Sequence, residues 1–176
     1  ALPICDYLRR KNFLESVLES CEAVITYARR YSELALKEAQ NCTDSTRKAE
    51  LLKIAESCDR VPAKPARDFY EACQSFWFIQ QLLQCESSGH SISPGRFDQY
   101  MYPLFKKDID SGRETLTSAQ EYLDCTWVKL NDLNKVRDAA SAEGFAGYGL
   151  FQNLIVGGQD EDGVDVTNEL SYMCME

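Results

Sequence analysis

Only one histidine, His90, occurs in 176 residues, and no two cysteines are spaced as CxxC. Without a second imidazole or a CxxC pair, no zinc-binding pattern is available. Basic residues are in deficit as well: 19 Lys and Arg face 28 Asp and Glu, for a formal net charge of −9. Nucleic-acid phosphates and anionic membrane surfaces both recruit Lys and Arg, so neither is an expected partner. No apolar run approaches the roughly 20 residues that span a bilayer. The opening residues, Ala1 to Arg10, lack a basic start followed by an apolar core, so no secretion signal is read there. Internal repeats, low-complexity tracts and any linker long enough to split domains are missing too.

What is present reads as globular. Hydrophobic residues make up 44% and charged residues 27%, within the range of a chain that buries one core. Cysteine is plentiful, with eight residues. Cys21, Cys58, Cys73 and Cys125 fall inside helical patterns, where a buried thiol acts as a small apolar residue. With no secretion signal, the reducing cytosol is the expected compartment, and disulfides are not expected.

Helical periodicity covers most of the chain. From about Lys11 to Ala39, residues Phe13, Val17, Cys21, Val24, Ala28, Tyr31 and Ala35 recur at three- and four-residue spacing. Leu14, Leu18, Ile25 and Leu34 widen that stripe, so this helix should pack on more than one neighbour. Asp44 or Thr43 suits the cap of a second helix that turns Leu51, Leu52, Ala55 and Cys58 inward, and Pro62 stops it. Pro65 suits the first turn of a third helix. There Phe69, Cys73, Phe76, Trp77, Ile79, Leu82 and Leu83 cover most of the circumference and predict a buried helix. Gln80, Gln81 and Gln84 then need polar partners.

A short amphipathic piece over Tyr100 to Ile109 comes next, and Gly112 marks a turn. The capping-box spacing of Thr117 and Gln120 opens a helix running from about Ser118 to Ala140, with Leu123, Trp127, Leu130, Leu133 and Val136 on one face. Gly144 ends it. Leu150 to Val156 is short, apolar and stopped by Gly157-Gly158, which predicts a strand. Gln152 and Asn153 within it point to a polar cavity at one edge. Asp160, Asp162 and Asp165 lack the glycine spacing of a calcium loop and read as an acidic turn before a helix N-terminus. That last helix, from Thr167, stops mid-pattern, so the chain reads as cut.

The stretch Glu86 to Pro103 organises the rest. Gly89, Pro94 and Gly95 force the backbone to turn, and polar side chains crowd among aromatics, as in a site carried on a loop. Its local chemistry leaves a plainer alternative open, an ordered connection in which Arg96 and Asp98 pair with each other.

This stretch, Glu86-Ser87-Ser88-Gly89-His90-Ser91-Ile92-Ser93-Pro94-Gly95-Arg96-Phe97-Asp98-Gln99-Tyr100-Met101-Tyr102-Pro103, resembles the hallmark segment of glycyl radical enzymes, the pyruvate formate-lyase-like superfamily. The likeness is to the branch holding glycerol dehydratase, choline trimethylamine-lyase and hydroxyproline dehydratase. Two further blocks resemble that family in the same order. One is Phe145-Ala146-Gly147-Tyr148 with Phe151-Gln152-Asn153-Leu154-Ile155-Val156-Gly157-Gly158-Gln159-Asp160; the other is Thr167-Asn168-Glu169-Leu170-Ser171-Tyr172. The likeness covers nearly the whole chain and is weakest in the first sixty residues.

The resemblance implies an α/β fold, the family's ten-stranded barrel. Residues 1–176 would form a single segment of it, mostly α-helical with one or two short strands, truncated before the cysteine loop. It implies cleavage of a C–O, C–N, C–C or C–S bond in a small polar substrate by thiyl-radical hydrogen abstraction. No bound cofactor is implied; the glycyl radical belongs to a residue outside this chain. The implied partners are a radical S-adenosylmethionine activating enzyme and the remainder of the enzyme chain, with a homodimer when complete.

The family's radical glycine lies in an Arg-Val-x-Gly-Tyr type loop and its cysteine in a Gly-Cys-x-Glu type loop. Neither motif occurs here, so no catalytic residue is carried over and the chain alone is expected to be inactive. Cys174 belongs to the helix before the cysteine loop. The positions carried over are His90 and Ser91, which in the dehydratase-like members donate hydrogen bonds to substrate oxygens. Arg96 and Asp98 are expected to shape the loop. His90 could instead tie the loop to a neighbouring carbonyl. The chain as a whole could instead be a non-catalytic helical scaffold or a small-molecule binding module derived from the family. The substrate is not specified, because glycerol, propanediol, choline, hydroxyproline and sulfonates share the scaffold.

Overall fold

Apolar and small residues at three- and four-residue spacing carry the first helix past both of its expected ends. In the computed structural model, which describes residues 4–87, 91–133, 138–144 and 151–176, α1 spans Ile4–Asn41. Asp44 then caps α2, Ser45–Arg60, its carboxylate accepting from the N–H groups of Thr46 and Arg47 at 2.8 and 3.1 Å. The two helices pack together, with Ala28, Ser32, Ala35 and Ala39 of α1 buried, and Leu51, Ala55 and Cys58 of α2 buried as well. Small side chains allow a close approach. The Ser32 hydroxyl, for example, donates across it to the Ala55 carbonyl at 2.8 Å.

α2 has 16 residues against 38 in α1, so it covers only part of the longer helix. Phe13, Leu14, Val17 and Leu18 are exposed, Leu14 to 60%. The expected apolar stripe is therefore buried only in its second half. Cys21 is exposed rather than buried, and so is Leu52. Contacts divide the chain into two compact units, Ala1–Pro65 and Ala66–Glu176.

The second unit contains α3 (Phe69–Glu86), α4 (Phe97–Asp110), α5 (Leu116–Asn131), α6 (Ala139–Gly144) and α7 (Glu169–Met173). Its core is made of Phe69, Cys73, Phe97, Phe105, Leu123 and Leu170 with their neighbours. The rings meet edge to face, Phe69 with Phe105 at 5.5 Å and Phe76 with Phe97 at 5.1 Å. Each fully buried apolar side chain contributes about 1.5–3 kcal/mol. Two buried carboxylates fix the start of α3. Glu71 accepts from the Arg67 N–H at 2.7 Å and from its Nε at 2.9 Å. Asp108 accepts from the Phe69 N–H at 2.7 Å and from Arg113 Nη1 at 3.1 Å.

Several local expectations shift. α3 starts at Phe69 because the Asp68 carboxylate caps it, accepting from the Glu71 N–H at 2.8 Å; Pro65 lies outside the helix. Burial of α3 is partial, since Ile79 and Leu83 are 40% and 47% exposed. α5 is capped by Thr115 with Ser118, whose hydroxyl and amide bond the Thr115 N–H and Oγ1 reciprocally at 3.0 and 3.1 Å, not by Thr117 with Gln120. The helix ends at Asn131 and α6 is a separate turn, so the expected single helix to Ala140 is not formed; Val136 lies outside the described residues. Cys125 is exposed rather than buried. All eight cysteines are free thiols.

The expected short strands are also corrected. Among the described residues no strand forms, only isolated bridges, one of them joining Gly95 and Leu154 in parallel. The Ile155 N–H donates to the Gly95 carbonyl at 2.9 Å. A longer ladder is blocked because Pro94 has no N–H and because Ser91, Gly95 and Phe151 take left-handed φ values of 59°, 70° and 50°. Among the described residues, no helix is long and apolar enough to cross a membrane.

Candidate functional site

Two stretches far apart in sequence, 91–98 and 151–158, run side by side in the second unit and brace each other. Ser93 stitches them: its hydroxyl donates to the Phe151 carbonyl and accepts from the Asn153 N–H, both at 3.2 Å. Ser91, two residues earlier, is exposed and holds φ 59°, and Phe151 holds φ 50°. A non-glycine residue in that region carries strain of about 1–3 kcal/mol, and it persists only where surrounding bonds hold it. Both residues are joined to this one stitched pair of segments.

Below the loop, Asp98 and Arg96 act on one residue. The Asp98 side chain is fully buried and its Oδ2 accepts from the Gly157 N–H at 2.7 Å, from Gln99 Nε2 at 3.0 Å and from the Ser171 hydroxyl. Arg96 Nη2 donates to the Gly157 carbonyl at 3.2 Å. The two side chains therefore do not pair with each other; they grip Gly157 by its N–H and its C=O. Gly157 has φ +63°, and a Cβ there would stand 2.7 Å from Thr167 Oγ1, so glycine is required twice over. Ser171 sits in the capping box of α7 with Asn168, which connects the loop to that helix.

Above the loop lie three amides. Gln80 Nε2 donates to the Ile92 carbonyl at 2.7 Å and to Gln152 Oε1 at 2.9 Å. Gln84 Nε2 donates to the same Gln152 oxygen at 3.0 Å, and Gln152 Nε2 donates to the Leu130 carbonyl at 3.1 Å. The polar demand expected for Gln80 and Gln84 is thus met largely by Gln152, whose interruption of an apolar run was its only sequence signal. Cys174 is half-buried beyond Ser171; burial, and secondarily the nearby Asp98 carboxylate, push its thiol up to about 12, so it stays protonated.

The acidic stretch after Gly158 is self-contained. Asp160 Oδ1 accepts from the N–H groups of Asp162 and Val164 at 3.0 and 2.9 Å, closing a turn. Asp165 accepts from the Thr167 hydroxyl and N–H, bonds that lower its pKa. No group of three or more candidate ligands that could hold a metal occurs among the described residues.

Of the two expected substrate-facing residues, Ser91 stands exposed on the braced loop, while His90 lies outside the described residues, as does Phe145 to Leu150. Sequence reasoning did not single out Ser93, Gly157 or Ser171. Ser93 had a signal, since Ser91 and Ser93 alternate in an extended run. The roles of Gly157 and Ser171 depend on contacts with a residue 59 and 73 positions away, which no local pattern encodes.

The chain resembles known proteins along nearly its whole length. The family model described as pyruvate formate lyase-like matches residues 2–176. Isethionate sulfite-lyase of Bilophila wadsworthia is 40% identical over 173 residues, covering 97% of this chain and 21% of that protein. A structure concerned with 1,2-propanediol dehydration in Roseburia inulinivorans matches with TM-score 0.92 and 66% identity, over 97% of this chain and 21% of that one. The glycerol-bound B12-independent glycerol dehydratase from Clostridium butyricum matches with TM-score 0.90 and 53% identity, over 97% of this chain and 21% of that one. The chain thus spans about a fifth of the length of these relatives. Residues 2–176, with the blocks at 86–103, 145–148, 151–160 and 167–172 among them, belong to the pyruvate formate lyase-like family, the glycyl radical enzymes.

Proposed function

We propose that this chain is one segment of a glycyl radical lyase or dehydratase, and that the complete enzyme cleaves a C–O, C–N, C–C or C–S bond of a small polar substrate. The observation that carries this reading is the exposed, left-handed Ser91 on a loop braced from both sides. Relatives whose names concern 1,2-propanediol, glycerol and isethionate support it, since all three compounds carry hydroxyl groups. The glycyl radical, on a residue outside this chain, supplies hydrogen-atom abstraction through a cysteine also outside it. The residues present here bind and orient. The Ser91 hydroxyl both donates and accepts, so it can fix one substrate oxygen, and His90 beside it takes a second. A serine hydroxyl held on a braced loop selects a polyol or hydroxy acid by position rather than by charge. The ten-stranded barrel, a homodimer, a radical S-adenosylmethionine activating enzyme and a cytosolic setting all belong to the same reading.

The test uses the complete enzyme, activated anaerobically. Ser91→Ala should lower kcat/KM for its substrate by roughly three- to ten-fold, the worth of one neutral hydrogen bond. The glycine-centred doublet in electron paramagnetic resonance should keep its intensity. Unchanged kinetic constants beside a lowered melting temperature would make the loop structural only.

A further inference from the structure

We propose that Gln80, Gln84 and Gln152 form an amide relay that positions the substrate-facing loop, with Gln152 as its key. This inference rests on the reading of Ser91 given above and adds the residues that aim it.

Amides at this site are unexpected on packing grounds. Gln80 and Gln84 are only 4% and 7% exposed, and both lie on α3, where an apolar residue would bury at no polar cost. They are joined instead in one chain of bonds. Gln152 Oε1 takes a donor from each of them, and Gln152 Nε2 is anchored on the Leu130 carbonyl at the end of α5. The output of the relay is Gln80 Nε2, which holds the Ile92 carbonyl at 2.7 Å. Ile92 follows Ser91 directly, so this bond fixes the Ile92–Ser93 peptide, one residue past the left-handed serine.

A second observation separates the cluster from ordinary core packing. Gln84 Oε1 is buried and has no hydrogen-bond partner among the described residues. An unmet buried acceptor is costly, and native proteins rarely keep one without a reason. Here Gln84 spends its amide nitrogen on Gln152 and leaves its oxygen unsatisfied, so the shared oxygen of Gln152 governs how all three amides are arranged. Replacing Gln152 breaks both incoming donors and the anchor together. Replacing Gln80 breaks the output and one donor to Gln152, and leaves Gln84 and the Leu130 anchor in place.

A relay of this kind acts on substrate affinity and orientation through Ser91, and it touches no reacting atom. In the complete, activated enzyme, with 1,2-propanediol or glycerol as probe, Gln152→Leu should raise KM by roughly three- to ten-fold, comparable to Ser91→Ala. Glycyl radical content should be unchanged. Gln152→Glu, which keeps the accepting oxygen, should recover part of the loss. Hydrogen–deuterium exchange of the amides at 153 and 155, which donate to Ser93 Oγ and to the Gly95 carbonyl, should quicken in Gln152→Leu without substrate present, an effect read independently of turnover. If Gln152→Leu does not give folded enzyme, Gln80→Met carries the same expectations, since it removes the donor to Ile92 at nearly constant volume. Kinetic constants and exchange rates left at wild-type values in the Gln152 and Gln80 variants, while Ser91→Ala raises KM, would overturn the relay and leave the Ser91 reading standing. If Ser91→Ala is also silent, the site reading fails, and the relay fails with it.

Discussion

The two compact units of this chain are held together by different physics. In the first, α1 and α2 meet along small apolar residues spaced at helical intervals, and Ser32 donates a hydrogen bond across them. In the second, an aromatic core is supplemented by buried charges and amides, with Asp98, Asp108, Glu71, Gln80 and Gln84 all under 9% exposed. The first repeats one kind of contact along the two helices. The second depends on a few polar groups that each serve several segments at once. A site that must hold a strained loop uses the second design, because directional bonds fix geometry in a way that apolar contact does not.

Three experiments bear on that contrast. The largest effect is expected at Asp98. Its removal strands the Gly157 amide and the Ser171 hydroxyl in a buried site, so Asp98→Ala should cost about 3 kcal/mol in urea unfolding. Asp98→Asn, which keeps one accepting oxygen, should cost clearly less. A loss below about 1 kcal/mol for Asp98→Ala would mean that the second unit, like the first, rests on apolar contact alone.

The next effect is a pH dependence common to both units. Burial pushes Cys58 up from 9.0 to about 11 and Cys73 up from 9.0 to about 12. A thiol whose folded pKa is raised stabilises the fold fully below the unfolded value and loses that contribution as pH rises through the folded one. Stability should therefore be insensitive to these thiols below pH 9 and should decline between pH 9 and about 12. By about pH 10 each thiol should account for about 1 kcal/mol. Comparison with Cys58→Ala and Cys73→Ala isolates each share, and an alkaline decline that neither variant reduces would refute the assignment.

The smallest effect is expected at the uncovered end of α1. Leu14 is 60% exposed, so Leu14→Ser should change the stability of this chain by no more than about 0.5 kcal/mol. A substantially larger loss in denaturant unfolding would show that the first unit buries more than its own two helices provide.

Legibility in the sequence followed the same division. Helix α1, α2 and its Asp44 cap, and the inward Leu51, Ala55 and Cys58 could be read because periodicity and capping are local. The first half of the α1 stripe, exposed in the structure, was misread as buried because an apolar pattern does not say whether a partner reaches it. The loop's location was legible from its glycines, proline and family likeness, and so was the polar demand of Gln80 and Gln84. The partners were not. Arg96 and Asp98 looked like a pair because they stand two residues apart, yet both reach to Gly157, about sixty positions on. The strand over 150–156 was misread for a related reason: its neighbour carries Pro94 and a left-handed Gly95, which limit pairing to one bridge.

Gly157 has a consequence for anyone recombining members of this family. Its N–H belongs to Asp98, its C=O to Arg96, and the space where its side chain would stand to Thr167. A chimera that transplants residues 86–103 alone carries the grip without the thing gripped. The unit of exchange is the loop together with 151–171, and grafts cut inside that pairing should fail to assemble even when every residue around the substrate is correctly transferred.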